Sequence, residues 1–153
     1  MVVFEAMSRN GEIVKIDISL NSSIEELGPL EEVVRKFAES KGADEDAVHK
    51  FVYCVRECVI NSMKYVNNFE PGKNVGVRLY RVGRKLIAYV EDTGTGQVDE
   101  RYFDESFVTG QNLLETHGRG LFLVSKHSDE MPFFTYTKGG KKIRIVKNLT
   151  NSS

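Results

Sequence analysis

The most constraining stretch of this chain runs from Asp44 to Val66. Val48, Phe51, Val52, Val55, Val59, Met63 and Val66 recur there at intervals of three and four. That spacing lines one side of an α-helix with an apolar stripe, at about 100° per residue. A single long amphipathic helix has to lay its stripe on another layer. The flanking sequence supplies one, because most of it alternates as strands do.

Residues 12–19 (EIVKIDIS) set Ile13, Lys15 and Asp17 against Val14, Ile16 and Ile18, the pattern of a half-buried strand. A preceding short strand is expected before a turn at Arg9-Asn10-Gly11. Ser23 with Glu26 three residues on reads as a capping box. It opens a helix to about Ser40 with Leu27, Leu30, Val33, Val34 and Phe37 on one side, closed by Lys41-Gly42-Ala43. After Pro71-Gly72 two strands, 75–82 and 85–91, meet at Gly83-Arg84. Residues 97–120 are polar and weakly periodic, the one long irregular stretch. A helix is expected over 120–127, then strands 131–137 and 142–147 around Gly139-Gly140. The expected order is ββ, αα, ββ, loop, α, ββ. It describes an α/β (α+β) two-layer sandwich, a mixed, largely antiparallel sheet with helices on one face.

The 153 residues suit one domain, read as residues 1–147 with a polar tail at 148–153. Lys+Arg 21 against Asp+Glu 22 leaves a net charge of −1, so no global basic field would gather nucleic acid or anionic lipid. No apolar run approaches the roughly 18 residues of a membrane span, and no secretory leader is visible at the start. Cys54 and Cys58, four apart within the helical pattern, are badly placed for a disulfide and read as reduced thiols. The expectation is a cytoplasmic protein without membrane or direct nucleic-acid partners.

Three clusters stand apart. Glu57 and Asn61 lie one turn apart on the long helix, away from its stripe. Asp92-Thr93-Gly94-Thr95-Gly96 follows a strand. Gly118-Arg119-Gly120 precedes an apolar helical run. Each alone has an ordinary explanation: a solvated polar pair, a strand-ending turn, a helix start. Neither a P-loop nor the dinucleotide fingerprint is present, since Leu123 and Asp99 stand where third glycines would be needed. Asp92-Thr93-Gly94 also has the form in which aspartic proteases present a catalytic carboxylate, but two long helices before it oppose that nearly all-strand fold.

Taken together and in this order, the clusters resemble the N-box, G1 box and G2 box of the GHKL ATPase superfamily, which includes gyrase, the heat-shock chaperone, histidine kinases and MutL. Residues 55–62 (VRECVINS), 90–96 (VEDTGTG) and 117–124 (HGRGLFLV) followed by Asp129-Glu130 carry the resemblance. It spans about 48–129 and is strongest to stand-alone anti-sigma factor serine/threonine kinases. Ser62 and Tyr65 stand where that group usually has Ala and His. Residues 107–110 (FVTG) resemble the lid segment, with Gly110 where a lysine is frequent.

The resemblance implies the Bergerat ATP-binding fold, ATP with Mg²⁺, and phosphoryl transfer to a serine of a small antagonist (anti-anti-sigma) protein. It also implies a sigma factor as a second partner and a homodimer. Glu57 would be the catalytic base. Asn61, Asp92, Gly94, Gly96, Thr109, Gly118, Arg119 and Gly120 would contact the nucleotide, with Asn61 also at the metal. The chemistry of the residues agrees. A neutral amide oxygen suits a metal that bridges phosphates, and a carboxylate one turn earlier can take a hydroxyl proton. Asp92, an acceptor only, matches the adenine amine. Gly94 and Gly96 clear room for the base. Gly118 and Gly120 would bare N–H groups to phosphate at a helix start, with Arg119 adding a charged contact. Lys64 and Asn68 are candidates for the pocket mouth. The rival expectation is a non-catalytic ATP-sensing adaptor on the same fold.

Overall fold

The computed structural model describes residues 1–70, 72–92, 116–137 and 140–150. Two strands, β1 (Val2–Met7) and β2 (Ile13–Asn21), come first. A 3₁₀ turn (Ile24–Glu26) leads into α1 (Leu27–Ser40), which is followed by α2 (Glu45–Asn61). Next come β3 (Asn74–Val82) and β4 (Lys85–Asp92), then α3 (Thr116–His127), β5 (Phe133–Thr137) and β6 (Gly140–Asn148). The strands form one six-stranded sheet in the order β1-β2-β3-β4-β6-β5. Every pairing in it is antiparallel. The expected largely antiparallel sheet is thus antiparallel at every described pairing.

Period-two alternation decides which face is covered. Ile16, Ile18 and Leu20 of β2 point to one side with Val75, Val77 and Leu79 of β3. Leu86, Ala88 and Val90 of β4 and Ile143 and Ile145 of β6 complete that face. Leu27, Leu30, Val34 and Phe37 of α1 close the core from above, with Val48, Phe51, Val55 and Val59 of α2. Leu121 and Val124 of α3 join them. The opposite face carries polar and aromatic pairs: Arg78 Nε donates to Asp17 at 2.8 Å, and Tyr80 stacks on Tyr89 with centroids 6.2 Å apart.

Helix α1 ends on a Schellman turn. Gly42 has φ +87°, its N–H reaches the Glu39 carbonyl at 3.0 Å, and the Ala43 N–H reaches Ala38 at 3.2 Å. The start of α1 departs from expectation. Ser23 makes no side-chain cap on the 3₁₀ turn and donates instead to Glu25. Glu26 accepts from the Asn21 N–H at 2.7 Å and from the terminal ammonium of Met1. The cap on α2 forms as read, with the Asp44 carboxylate accepting from the Ala47 N–H at 2.8 Å. Leu149, inside the expected tail, is buried, and its carbonyl accepts the Asp44 N–H at 2.8 Å.

Both cysteines are free and lie in the core. Burial pushes the Cys54 thiol up to about 12 and that of Cys58 well above its usual value. Among the described residues no helix is long and apolar enough to cross a membrane.

Candidate functional site

Helix α2 does not run unchanged to Val66. At Asn61 it widens into a π-helical segment, Ser62–Val66, with the Asn67 N–H reaching Ser62 O at 2.9 Å. Such widened turns occur frequently at functional sites, because they re-aim side chains that a regular helix would stagger. Immediately beyond, Asn68 (φ 49°) and Phe69 (φ 52°) both adopt the left-handed conformation, which disfavours residues with a Cβ. Buried Asn67 holds that bend, donating to Ser22 Oγ at 2.9 Å and to the Asn74 carbonyl at 3.3 Å. The whole turn is therefore pinned to the ends of β2 and β3.

Ser62, the first residue of the widened segment, reaches the sheet. Its hydroxyl donates to Asp92 Oδ2 at 3.0 Å, although the two residues are 30 apart in sequence. Asp92 ends β4 on the core face and is only 4% exposed. Strand register places Lys141 of β6 directly opposite it, and the Lys141 ammonium stands 3.6 Å from Asp92 Oδ1. Both oxygens of this buried carboxylate are thus engaged, one by a hydroxyl donor and one by an ammonium.

Asn61, the last residue of α2, is buried beside Ser62. Glu57 lies one turn earlier and is half-buried between α2 and α3. A Cβ at Gly120 would stand 2.8 Å from Glu57 Oε2, so α3 approaches this carboxylate across a position that only glycine leaves clear. On its other side, Glu57 Oε1 accepts from Arg56 Nη1 at 3.1 Å. Arg56 Nε in turn pairs with Glu31 of α1 at 2.6 Å. Burial raises the Glu57 carboxyl above the usual range, and the Arg56 guanidinium opposes that rise. One turn before, Tyr53 packs edge-on against His127 of α3 at 5.3 Å. Burial and the charge of Glu57 push the Tyr53 hydroxyl up to about 12.

Of the residues singled out in the sequence, Glu57 and Gly120 meet directly, and Asp92 joins the turn that follows Asn61. Positions 118–120 lie inside α3, because that helix already includes Thr116. The helix therefore starts four residues before the expected 120, and the absence of a Cβ at Gly120 leaves room for Glu57. Lys64 and Asn68 are exposed. Gly94, Gly96 and Thr109 lie outside the described residues, as does the irregular stretch before α3. Sequence reading missed Lys141, which lies just before the expected strand 142–147, whereas β6 already begins at Gly140. It also missed the Glu31–Arg56–Glu57 chain. Extending the alternation of Ile143 and Ile145 back by two residues would have placed Lys141 on their side of the sheet.

Comparison with known proteins places this geometry. Among curated proteins no sequence matches. The fold is similar to a crystal structure of the RsbU and RsbW domains of Rv1364c from Mycobacterium tuberculosis, with TM-score 0.58 and 19% identity. That match covers 88% of this chain and 32% of the other. A histidine kinase domain from Erythrobacter litoralis EL346, a blue-light activated histidine kinase, superposes with TM-score 0.51 at 17% identity. It covers 82% of this chain and 60% of the other. The chain thus spans less than two thirds of the length of either structure. The histidine kinase-like ATPase domain model matches residues 20–147, from the end of β2 through β6. The chain belongs to the histidine kinase-like ATPase domain family, the GHKL group that its three boxes resemble.

Proposed function

We propose that this chain binds ATP with Mg²⁺ and phosphorylates a serine or threonine of a small antagonist protein, as an anti-sigma-factor-like regulator. The observation that carries the reading is Glu57. It is a half-buried carboxylate with a raised pKa, wedged against Gly120 one turn before Asn61. A general base needs this combination of fixed position and increased basicity. In the transfer, the acceptor hydroxyl oxygen bonds to the γ-phosphorus and the bond to the β,γ-bridging oxygen breaks. ADP leaves, and the hydroxyl proton passes to Glu57.

Asp92 accepts the adenine amine, and the N-terminal turn of α3 faces phosphate. A single amide oxygen, that of Asn61, suits a metal that keeps waters and phosphate oxygens as its other ligands. Mg²⁺ held there would neutralise charge on the phosphates. The RsbW domain in the mycobacterial neighbour supports an anti-anti-sigma type of partner. A sigma factor as second partner, a homodimer and residence in the cytoplasm belong to the same reading.

The test is transfer of label from γ-labelled ATP with Mg²⁺ to the antagonist encoded beside this gene. Glu57→Ala is expected to slow it by about 10²–10⁴-fold. Transfer at the wild-type rate refutes the base assignment. Asp92→Asn is expected to weaken ATP binding, and unchanged affinity removes Asp92 from the base site. The Arg56–Glu57 ion pair favours a second reading, an ATP-sensing adaptor whose carboxylate is kept engaged. Its signature is ATP binding without label on any antagonist.

A further inference from the structure

Among the described residues three lysines are buried: Lys41, Lys141 and Lys147. Two of them tie segments of the fold together. Lys41 reaches the Ile13 carbonyl and Glu12, and Lys147 pairs at 2.9 Å with Asp129, which also accepts the Asn148 N–H. Lys141 is different. It is the most deeply buried of the three, at 1% exposure, and its ammonium faces the one carboxylate assigned to the nucleotide base.

A buried ion pair is a poor stabiliser, because the loss of hydration offsets most of the Coulomb attraction. A pair of apolar residues opposite each other at the ends of β4 and β6 would serve the core as well. The pair does offer an acceptor and a donor side by side on the same face of the sheet. Asp92 accepts only; an ammonium donates only. The Nζ–Oδ1 distance of 3.6 Å is an ion-pair contact rather than a tight hydrogen bond, and Ser62 fixes Asp92 through its other oxygen. Adenine presents a complementary edge: the 6-amino group donates, and the adjacent ring nitrogen N1 accepts.

We propose that Lys141 is a specificity-determining residue for the nucleotide, donating from its ammonium to N1 of adenine while Asp92 accepts from the 6-amino group. The proposal rests on the reading of Asp92 as the base-binding carboxylate and extends it to a second, charged contact. Adenine read in this way is distinguished twice over. Its amine meets a carboxylate and its N1 meets a cation. A purine with N1–H and a 6-oxo group presents donor and acceptor in the reverse order.

The experiment compares ATP, 1-deaza-ATP and 7-deaza-ATP by titration calorimetry on the full chain, wild type and Lys141→Met. 1-Deaza-ATP replaces N1 by C–H, and 7-deaza-ATP changes the ring away from the contact. In the wild type, 1-deaza-ATP is expected to bind about 10-fold or more weakly than ATP, as befits a lost charge-assisted hydrogen bond, and 7-deaza-ATP close to ATP. In Lys141→Met the difference between ATP and 1-deaza-ATP is expected to vanish. A purely structural ion pair would not move that ratio.

The proposal is overturned if wild type binds 1-deaza-ATP as well as ATP, or if the 1-deaza loss persists in Lys141→Met. It is also overturned if Lys141→Met binds ATP more tightly, which would make the lysine a plug, or if GTP is preferred. Should Lys141→Met not fold, Lys141→Gln keeps a neutral donor and is expected to retain part of the discrimination. A wild-type chain that binds no adenine nucleotide defeats the nucleotide reading itself. ATP binding without sensitivity to N1 defeats this inference alone.

Discussion

Gly120→Ala separates the chemical use of the Glu57–Gly120 contact from its structural use. The added Cβ would stand 2.8 Å from Glu57 Oε2, where ordinary contact begins at 3.4 Å. The carboxylate has to retreat by about 0.6 Å. The obstructed atom is the far end of a flexible side chain, so the fold absorbs the change. Alanine in a helix interior gains about 0.5–1 kcal/mol over glycine. Straining the partly exposed Arg56–Glu57 ion pair returns at most about 1 kcal/mol. Net stability should therefore change little. Phosphoryl transfer is another matter, because a misplacement of about 1 Å in a reacting group can lower the rate by about 10²-fold. A shift of half that size or more predicts a loss of about 10-fold or greater. Urea unfolding and single-turnover transfer of label, measured on the same preparation, test both halves. Combining Gly120→Ala with Glu57→Ala should add no further loss, because the first substitution acts through the second residue. A variant several degrees less stable with transfer intact would show that Gly120 serves packing alone. The reasoning then fails.

Glu57→Gln should be more stable than wild type at neutral pH. Burial raises the folded-state pKa of Glu57, so the folded chain is penalised for holding it ionised. The penalty is absent below the ordinary carboxyl pKa and fully present above the raised one; the advantage of Gln should therefore vanish in acid, as urea midpoints against pH will show. An advantage that persists unchanged below pH 4 would refute the assignment. Cys54 and Cys58 should resist a thiol reagent in the native protein and react together on unfolding, since burial raises both pKa values; prompt native labelling of either contradicts their place in the core. Gly42→Ala should cost about 1 kcal/mol for a left-handed residue, lowering Tm by about 2–4 °C. The space around it is open, with nothing within 4 Å of the added carbon, so any larger loss would need a cause other than the backbone.

What the sequence made legible was local. The stripe from Val48 to Met63, the alternation in β2, β3 and β4, and the glycine ending α1 each follow from a spacing or a backbone preference that neighbours in the chain can express. The capping box at Ser23 failed for a reason equally physical. Glu26 had a better donor in the Asn21 N–H, brought near only because β2 turns back at that point. The extent of α3 was misjudged for a related reason. Glycines at 118 and 120 read as the start of a helix, whereas α3 already includes Thr116 and the glycine at 120 lets it approach Glu57.

The contacts that matter most to the base site are between strands and across layers, and no periodicity encodes them. Asp92 and Lys141 become partners only when β4 and β6 are in register, with α3 and β5 lying between them in sequence. Ser62 and Asp92 are 30 apart in sequence and meet only when the end of α2 packs over the end of β4. Lys141 and Lys147, on the same side of β6 as Ile143 and Ile145, are a visible conflict between local pattern and global fold. Such conflicts concentrate where function competes with packing. A buried lysine is tolerated only with a partner, and the partner here is Asp92, the carboxylate that the proposed function gives to the nucleotide base. On that proposal, charge pairing and base recognition draw on the same two side chains.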